Sequence, residues 1–274
     1  NPGTHGAQSK LDQFFRDAIG QYAENRDRLD LKASSQLSAH IRFGEMSVRR
    51  IWHEIEQAKK DNPLIQISSI AFQRQLAWRE FAYFLLYAQP ESELHPIKGE
   101  YDHFPWRYAS DSILNSWRSG QTGYPIVDAA MRQLNEQAWI SNRARMVVSS
   151  FLVKHLLIAW QIGAQWFWEQ LIDADPANNT LGWQWTSGTG VDSAPYFRIF
   201  NPTLQGERFD PSGRYVRRWV PELAQLPNEA IHAPNTASTE VLAKAKVRLG
   251  DTYPSPIVDH KQARIRALSA FQKM

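Results

Sequence analysis

Residues 160–202 read WQIGAQWFWEQLIDADPANNTLGWQWTSGTGVDSAPYFRIFNP, and the fold is decided by how this stretch is read. Five of the eleven tryptophans lie in it: Trp160, Trp166, Trp168, Trp183 and Trp185. An indole buries a large apolar area, so each of them taken singly reads as core. The middle of the stretch is different. Asp173 and Asp175 follow the helical apolar pattern of Trp166, Phe167 and Leu171 and precede Asn178-Asn179. Acids and amides therefore gather where a helix gives way to a loop, and binding groups concentrate on loops carried by rigid elements.

Working outward, apolar residues recur at helical spacing along most of the chain. Ser9 reads as the N-cap of a first helix carrying Leu11, Phe14, Phe15, Ala18 and Tyr22. The hydroxyls at Ser34, Ser35 and Ser38 precede a short helix that carries Leu37 and Ile41 and ends at Gly44; capping accounts for such serines, and so does an anion held at the helix start. The next helix opens at Ser47 and stops at Asn62-Pro63. A long helix is predicted over 68–89, with Phe72, Leu76, Phe81, Phe84 and Leu85 facing inward. On it Gln75, Trp78 and Arg79 fall within one turn, so their side chains can share a cavity. Residues 90–110 read as loop. A short helix carries Trp117 to Gly120, another runs from Pro125 to Trp139, and a third opens at Ser141-Asn142. In the third, Arg143 and Arg145 lie two apart and point to different sides; Asp173 is a natural partner for Arg145, and a plain salt bridge explains that pair equally well. The apolar run 146–160 is interrupted by Lys154 and His155 and is too short and polar to span a bilayer, so it predicts a buried helix. The last helix is predicted over 259–272. Strand-like alternation and internal repeats are missing. The expectation is an all-α chain with one helical domain over 1–274, in which 1–10 and 202–238, the latter with Arg214, Arg217 and Arg218, are largely loop.

Composition bounds the chemistry. The 274 residues are 43% hydrophobic and 22% charged, with a net charge of +3, so any polyanion footprint must be local. The absence of cysteine excludes disulfides, thiolate zinc sites and cysteine-held iron–sulfur clusters, and fits a reducing cytoplasm. No metal motif is present, since His53-Glu54 lacks a second histidine at HExxH spacing. The N-terminus starts with Asn and has no signal pattern, which suggests an excised or processed piece; the expected state is monomeric with no membrane contact.

The opening stretch, together with WREF at 78–81, TGYPIVDAAMRQL at 122–134, NRARM at 142–146 and PYFRIFNP at 195–202, resembles the photolyase/cryptochrome family, most closely the bacterial class I cyclobutane pyrimidine dimer photolyases. The resemblance implies an FAD-binding domain of the all-α photolyase type without the family's N-terminal α/β antenna domain, so no antenna chromophore is expected in this chain; that domain is separate, removed or absent. It implies fully reduced FAD as the active cofactor, bound by Tyr22, Ser34, Ser35, Leu37, Ser38, Phe72, Arg79, Arg145, Asp173, Asp175 and Asn179. Asn179 aligns with the residue beside flavin N5. The partner it implies is UV-damaged DNA, with Gln75, Trp78, Met146 and Trp185 at the flipped-out lesion, Asn142 facing the DNA, and Arg26, Arg143, Arg198 and Arg208 on phosphates. Trp183, Trp160 and Trp117 align with the family's three-tryptophan chain, which carries electrons from the surface to photoexcited flavin. One departure stands out: the dimer photolyases carry Glu where this chain has Gln75. The activity implied is light-driven dimer repair; a cryptochrome-type blue-light receptor is the alternative.

Overall fold

Side-chain caps set many of the helix boundaries. Ser47, Ser110, Ser141 and Ser238 each accept a hydrogen bond from the backbone N–H three residues on, satisfying a donor the helix start leaves open. Asp175 and Asp259 do the same, and proline takes the first position after Tyr124, Asp175 and Asn201, where its missing N–H costs nothing.

The computed structural model describes residues 1–274. Its helices are α1 (Gly3–Asp17), α2 (Tyr22–Asn25), α3 (Ser38–Arg42), α4 (Val48–Asp61), α5 (Gln66–Ala88), α6 (Asp111–Arg118), α7 (Pro125–Gln137) and α8 (Asn142–Ser150), the last continued by a π turn over Phe151–His155. They are followed by α9 (Trp160–Gln170), α10 (Pro176–Ser187), α11 (Pro202–Phe209), α12 (Arg214–Trp219), α13 (Asn228–Ile231), α14 (Thr239–Lys244) and α15 (His260–Gln272). An isolated bridge between Leu249 and Tyr253 is the sole extended pairing, so the all-α expectation holds. No helix is long and apolar enough to cross a membrane.

Two apolar cores face each other. The smaller joins α1, α4 and the first half of α5 through Leu11, Phe14, Ile51, Ile55, Phe72 and Leu76. The larger is built on α6 to α10 and α12, around Trp117, Met131, Val148, Phe151, Trp160 and Trp183. Truncating a fully buried residue such as Leu11 to Ala costs ~2–5 kcal/mol in cores of this kind. A third, smaller cluster seats α15 through Ala267 and Ala270 against Tyr196 and Leu157.

Several expectations are corrected. The first helix starts at Gly3, not at Ser9; the Ser9 hydroxyl lies mid-helix and donates to the His5 carbonyl at 3.0 Å. Residues 1–10 are therefore helix rather than loop. The 202–238 stretch is largely helical too, because its prolines start helices instead of breaking them, and because the Asp210 carboxylate accepts the N–H groups of Tyr215 and Val216, both at 3.0 Å, and so launches α12. Phe84 is 63% exposed rather than inward. The 146–160 segment is not one helix: after the π turn, Leu157 takes a left-handed φ of 55° and α9 begins anew. Lys154 and His155, which seemed to interrupt an apolar run, are both buried. Lys154 Nζ donates to the carbonyls of Ser187 and Tyr196, each at 3.1 Å, and ties the end of α10 to the following loop.

His155 stacks on Phe151 and lies 2.8 Å from His260 Nδ1, joining the π turn to α15. Burial, with the neighbouring His260 and Arg266, pushes its pKa down to about 3 from 6.5. An unfolded chain binds that proton near pH 6.5 and the folded one does not, so the contribution of neutral His155 is complete above pH 6.5 and is lost as pH falls toward about 3. Burial pushes Asp128 and Asp210 up and gives them the opposite slope, so a difference between variants isolates the histidine. The melting temperature of His155→Asn is expected to fall less between pH 7.5 and pH 5 than that of the unmodified chain, as measured by circular dichroism. Parallel curves would contradict the assignment.

Candidate functional site

Between the two main cores lies a cavity of about 650 Å³, inside the ~300–1,000 Å³ range of cofactor sites. Its walls come from α2 and the loop to α3, one face of α5, residues 139–149 at the start of α8, and α9–α10. Six arginines line it, Arg26, Arg42, Arg74, Arg79, Arg143 and Arg145, against three carboxylates, Asp27, Asp173 and Asp175. Each carboxylate pairs with an arginine: Asp173 with Arg145 at 2.7 Å, Asp175 with Arg79 at 3.2 Å and Asp27 with Arg143 at 2.6 Å. The surplus is positive, and an anionic ligand fits it.

The pair with the most buried carboxylate is Asp173 and Arg145. Asp173 is 2% exposed at the side chain, both its oxygens accept from Arg145 Nη2 at 2.9 and 2.7 Å, and Arg145 Nε donates to the Ile140 carbonyl at 3.0 Å. Removing one partner of such a buried pair leaves an uncompensated charge and costs ~3–5 kcal/mol. Asp175 works as the N-cap of α10: it accepts the Asn178 N–H at 2.9 Å and its amide at 2.8 Å, as well as the Tyr83 hydroxyl and Arg79. Burial alone would raise its pKa, but the bonds from Tyr83 and Asn178 and the charge of Arg79 outweigh that and hold it below the usual carboxylate value. One turn on, Asn179 Nδ2 donates to the Ala164 carbonyl at 2.9 Å, so its carboxamide is fixed between α9 and α10.

At the other end, Tyr22 and Phe72 form an aromatic wall, with ring centroids 5.2 Å apart. Burial pushes the Tyr22 hydroxyl up to about 12, keeping it neutral. Ser34, Ser35, Leu37 and Ser38 line the cavity here. The helix after them is only Ser38–Arg42; Ser35 Oγ accepts the Leu37 N–H at 3.4 Å and Ser38 Oγ accepts from Trp139 Nε1 at 3.2 Å.

The mouth carries Gln75, Trp78, Asn142, Arg143, Met146, Trp185 and Arg26. Gln75, Trp78 and Arg79 do share the cavity, as their spacing on α5 predicts. Trp78 is 39% exposed, ready for a planar partner. Arg198 and Arg208 stand outside the lining and are exposed, although Arg208 lies 5.2 Å over the Phe209 ring that Arg143 also covers at 4.3 Å.

The tryptophans divide unexpectedly. Trp183 is 2% exposed and lines the cavity; Trp160 is 1% exposed in the same core. Trp117, which the resemblance assigns to the same three-tryptophan chain, is 0% exposed: it sits 6.4 Å from Trp183 and donates to the Val148 carbonyl at 3.1 Å. A ring so enclosed offers no surface on which a reductant in water could make contact. Trp106, which the sequence reading set aside in a loop, is partly exposed and packs on the Trp160 core, next to the hydrogen bond from Arg107 N–H to the Leu157 carbonyl at 2.8 Å. The aromatic run Phe104-Pro105-Trp106 was the available signal. Asp27, Arg42, Tyr83 and Trp139 were also missed, since their partners Arg143, the Ala174 carbonyl, Asp175 and Ser38 are distant in sequence.

Residues 72–273 match the family model described as the FAD binding domain of DNA photolyase. The chain is 48% identical over 270 residues to the deoxyribodipyrimidine photo-lyase of Agrobacterium fabrum, covering 98% of this chain and 56% of that one. It is 39% identical to cryptochrome-1 of Arabidopsis thaliana over 279 residues, 100% of this chain and 41% of that one. The crystal structure of a class III photolyase from Agrobacterium tumefaciens superposes with a TM-score of 0.94 at 48% identity, covering 99% of this chain and 56% of that one. The chain thus spans about half the length of these photolyase relatives.

The Trp183 ring requires the glycine at 163, where an added Cβ would lie 2.1 Å from the indole. Gly163→Ala is expected to lose ~1–3 kcal/mol by overpacking, measured by urea unfolding, with a shifted tryptophan emission. Unchanged stability and emission would show that the ring is not held as described.

Proposed function

The chain belongs to the family defined by the FAD-binding domain of DNA photolyase, and on that premise we propose that it carries out light-dependent repair of cyclobutane pyrimidine dimers in DNA. The observation that carries this reading is the joining, in one cavity, of an ionic pair, Arg145 on the buried Asp173, with a mouth where partly exposed Trp78 and Trp185 stand beside rim arginines.

The residues present fit FAD: hydroxyls of Ser34, Ser35 and Ser38 and surplus arginines suit a diphosphate, and a mixed aromatic and amide wall suits a flavin ring. Ser34, Ser35, Leu37 and Ser38 would hold the diphosphate end, while Tyr22, Phe72, Arg79, Arg145, Asp173, Asp175 and Asn179 would hold the rest. Bound in its fully reduced form, this cofactor supplies on illumination the electron that opens the dimer's cyclobutane ring, and takes it back afterwards. The Arg145 guanidinium, fixed by Asp173, provides a permanent positive charge beside the ring site. Asn179 supplies a neutral carboxamide rather than an acid, so no proton is on offer there. Phe167 and Trp183, both buried, supply apolar wall on the inner side. At the mouth, Trp78 and Trp185 stack on extruded bases, and Gln75 offers an amide to them. Arg26, Arg143, Arg198 and Arg208 hold phosphates and position the strand without reading sequence. Trp183 and Trp160 form the inner stations for electrons entering from the surface, with Trp106 as the outer one in place of Trp117.

A second reading, a blue-light receptor of cryptochrome type, is favoured by one residue, Gln75, which lacks the carboxylate that the resemblance associates with dimer repair. Asn179 and the retained mouth favour repair.

Reduced, FAD-loaded protein is expected to convert a thymine dimer in an oligonucleotide to two thymines under blue light and not in the dark, as followed by chromatography. Trp78→Ala should weaken binding of the damaged strand by ~1–3 kcal/mol, the contribution of one stacked base. Intact dimers after illumination, with flavin bound, would leave the receptor reading in place.

A further inference from the structure

Asp27 is the outermost of the three cavity carboxylates: its side chain is 28% exposed, against 2% for Asp173 and 6% for Asp175. It lies on the turn after α2. Its Oδ2 accepts from Arg143 Nη2 at 2.6 Å, and its Oδ1 is 3.7 Å from Arg26 Nε. The turn is rigid. Leu29 N–H donates to the Phe209 carbonyl at 2.8 Å, and Arg28 forks onto Asp30 at 2.8 and 2.7 Å, so the carboxylate is held against α8 and α11. Arg143 has two anchors, Asp27 and the face of Phe209 at 4.3 Å; its Nε is buried without a partner. One negative charge therefore stands among the rim cations and fixes one of them.

We propose that Asp27 is a specificity-determining positioning residue that lets this mouth discriminate damaged from undamaged DNA; the inference rests on the reading that the mouth binds DNA. An undamaged duplex has no base to offer the pocket and meets the rim only through its phosphates. For it, Asp27 is a repelling charge that also occupies Arg143. A strand that inserts a lesion is drawn closer to the rim and meets Arg143 already oriented, so for that strand the repulsion is offset by preorganisation. The same carboxylate thus weakens one complex and not the other.

The experiment measures anisotropy of labelled duplexes of identical sequence, with and without a thymine dimer, in the dark and over a range of salt, using the full FAD-loaded chain. Asp27→Asn is expected to bind the undamaged duplex several-fold more tightly, to steepen its salt dependence by ~0.9 in log–log slope as one more phosphate is contacted, and to lower the damaged-to-undamaged ratio. Asp27→Glu, which keeps the charge, should restore most of the ratio, and Asp27→Ser repeats the charge loss with a smaller side chain. If both uncharged variants keep their flavin and melting temperature yet leave the undamaged affinity and slope unchanged while Arg143→Ala weakens damaged-DNA binding, the role of Asp27 is overturned and the DNA mouth stands. If Arg143→Ala changes nothing either, both fall.

Discussion

Asp173 is almost sealed from water and has a single side-chain partner, the guanidinium of Arg145, and one wall of the cavity is fixed by this contact. A buried ion pair contributes little net stability, because desolvation offsets most of the attraction, but it fixes geometry strongly, since neither partner can be left alone. Here it joins α8 to the segment between α9 and α10. The Ile172 N–H, donating to the Ala138 carbonyl at 2.8 Å, fastens the same segment to the end of α7. This wall belongs to the larger core, and the link to the smaller one is made next door, where Asp175 takes Arg79 and Tyr83 from α5 and the Ala174 carbonyl accepts from Arg42.

The cavity's other acids repeat the device at increasing exposure. Asp175 combines helix capping with an arginine and a tyrosine, so α10 cannot start anywhere else, and Asn178 and Asn179 are carried to the wall by its first turn. Asp27 faces the solvent side. Charge is thus graded from a locked floor to a responsive rim, which suits a site that holds one anionic ligand permanently and another transiently. Apolar packing supplies the folding free energy, while the ionic pairs supply position.

Much of this is legible in the sequence because local rules set it. Ser47, Ser141 and Asp259 cap the helices their spacing predicts, and Gln75, Trp78 and Arg79 face one space because a helix turn puts them there. What escaped was depth and distance. Trp117 and Trp106 are both plain indoles in sequence, and only the packed core shows that the first is enclosed and the second reaches solvent. The partner of Asp27 lies 116 residues away, beyond any local pattern. Residues 202–238 read as loop because Pro and Gly mark both the breaking and the starting of helices. The motifs that carry the family resemblance do not separate its classes: the sequence pointed to class I, whereas a solved relative at 48% identity is a class III photolyase.

The central claim is that the serine-lined end and the Arg145–Asp173 floor together accept one flavin dinucleotide. Calorimetric titration of the flavin-free chain with FAD and, separately, with FMN tests it most directly. The account predicts one FAD per chain and far weaker binding of FMN, which cannot occupy both ends. Equal affinity for the two, or no binding of FAD, would contradict it.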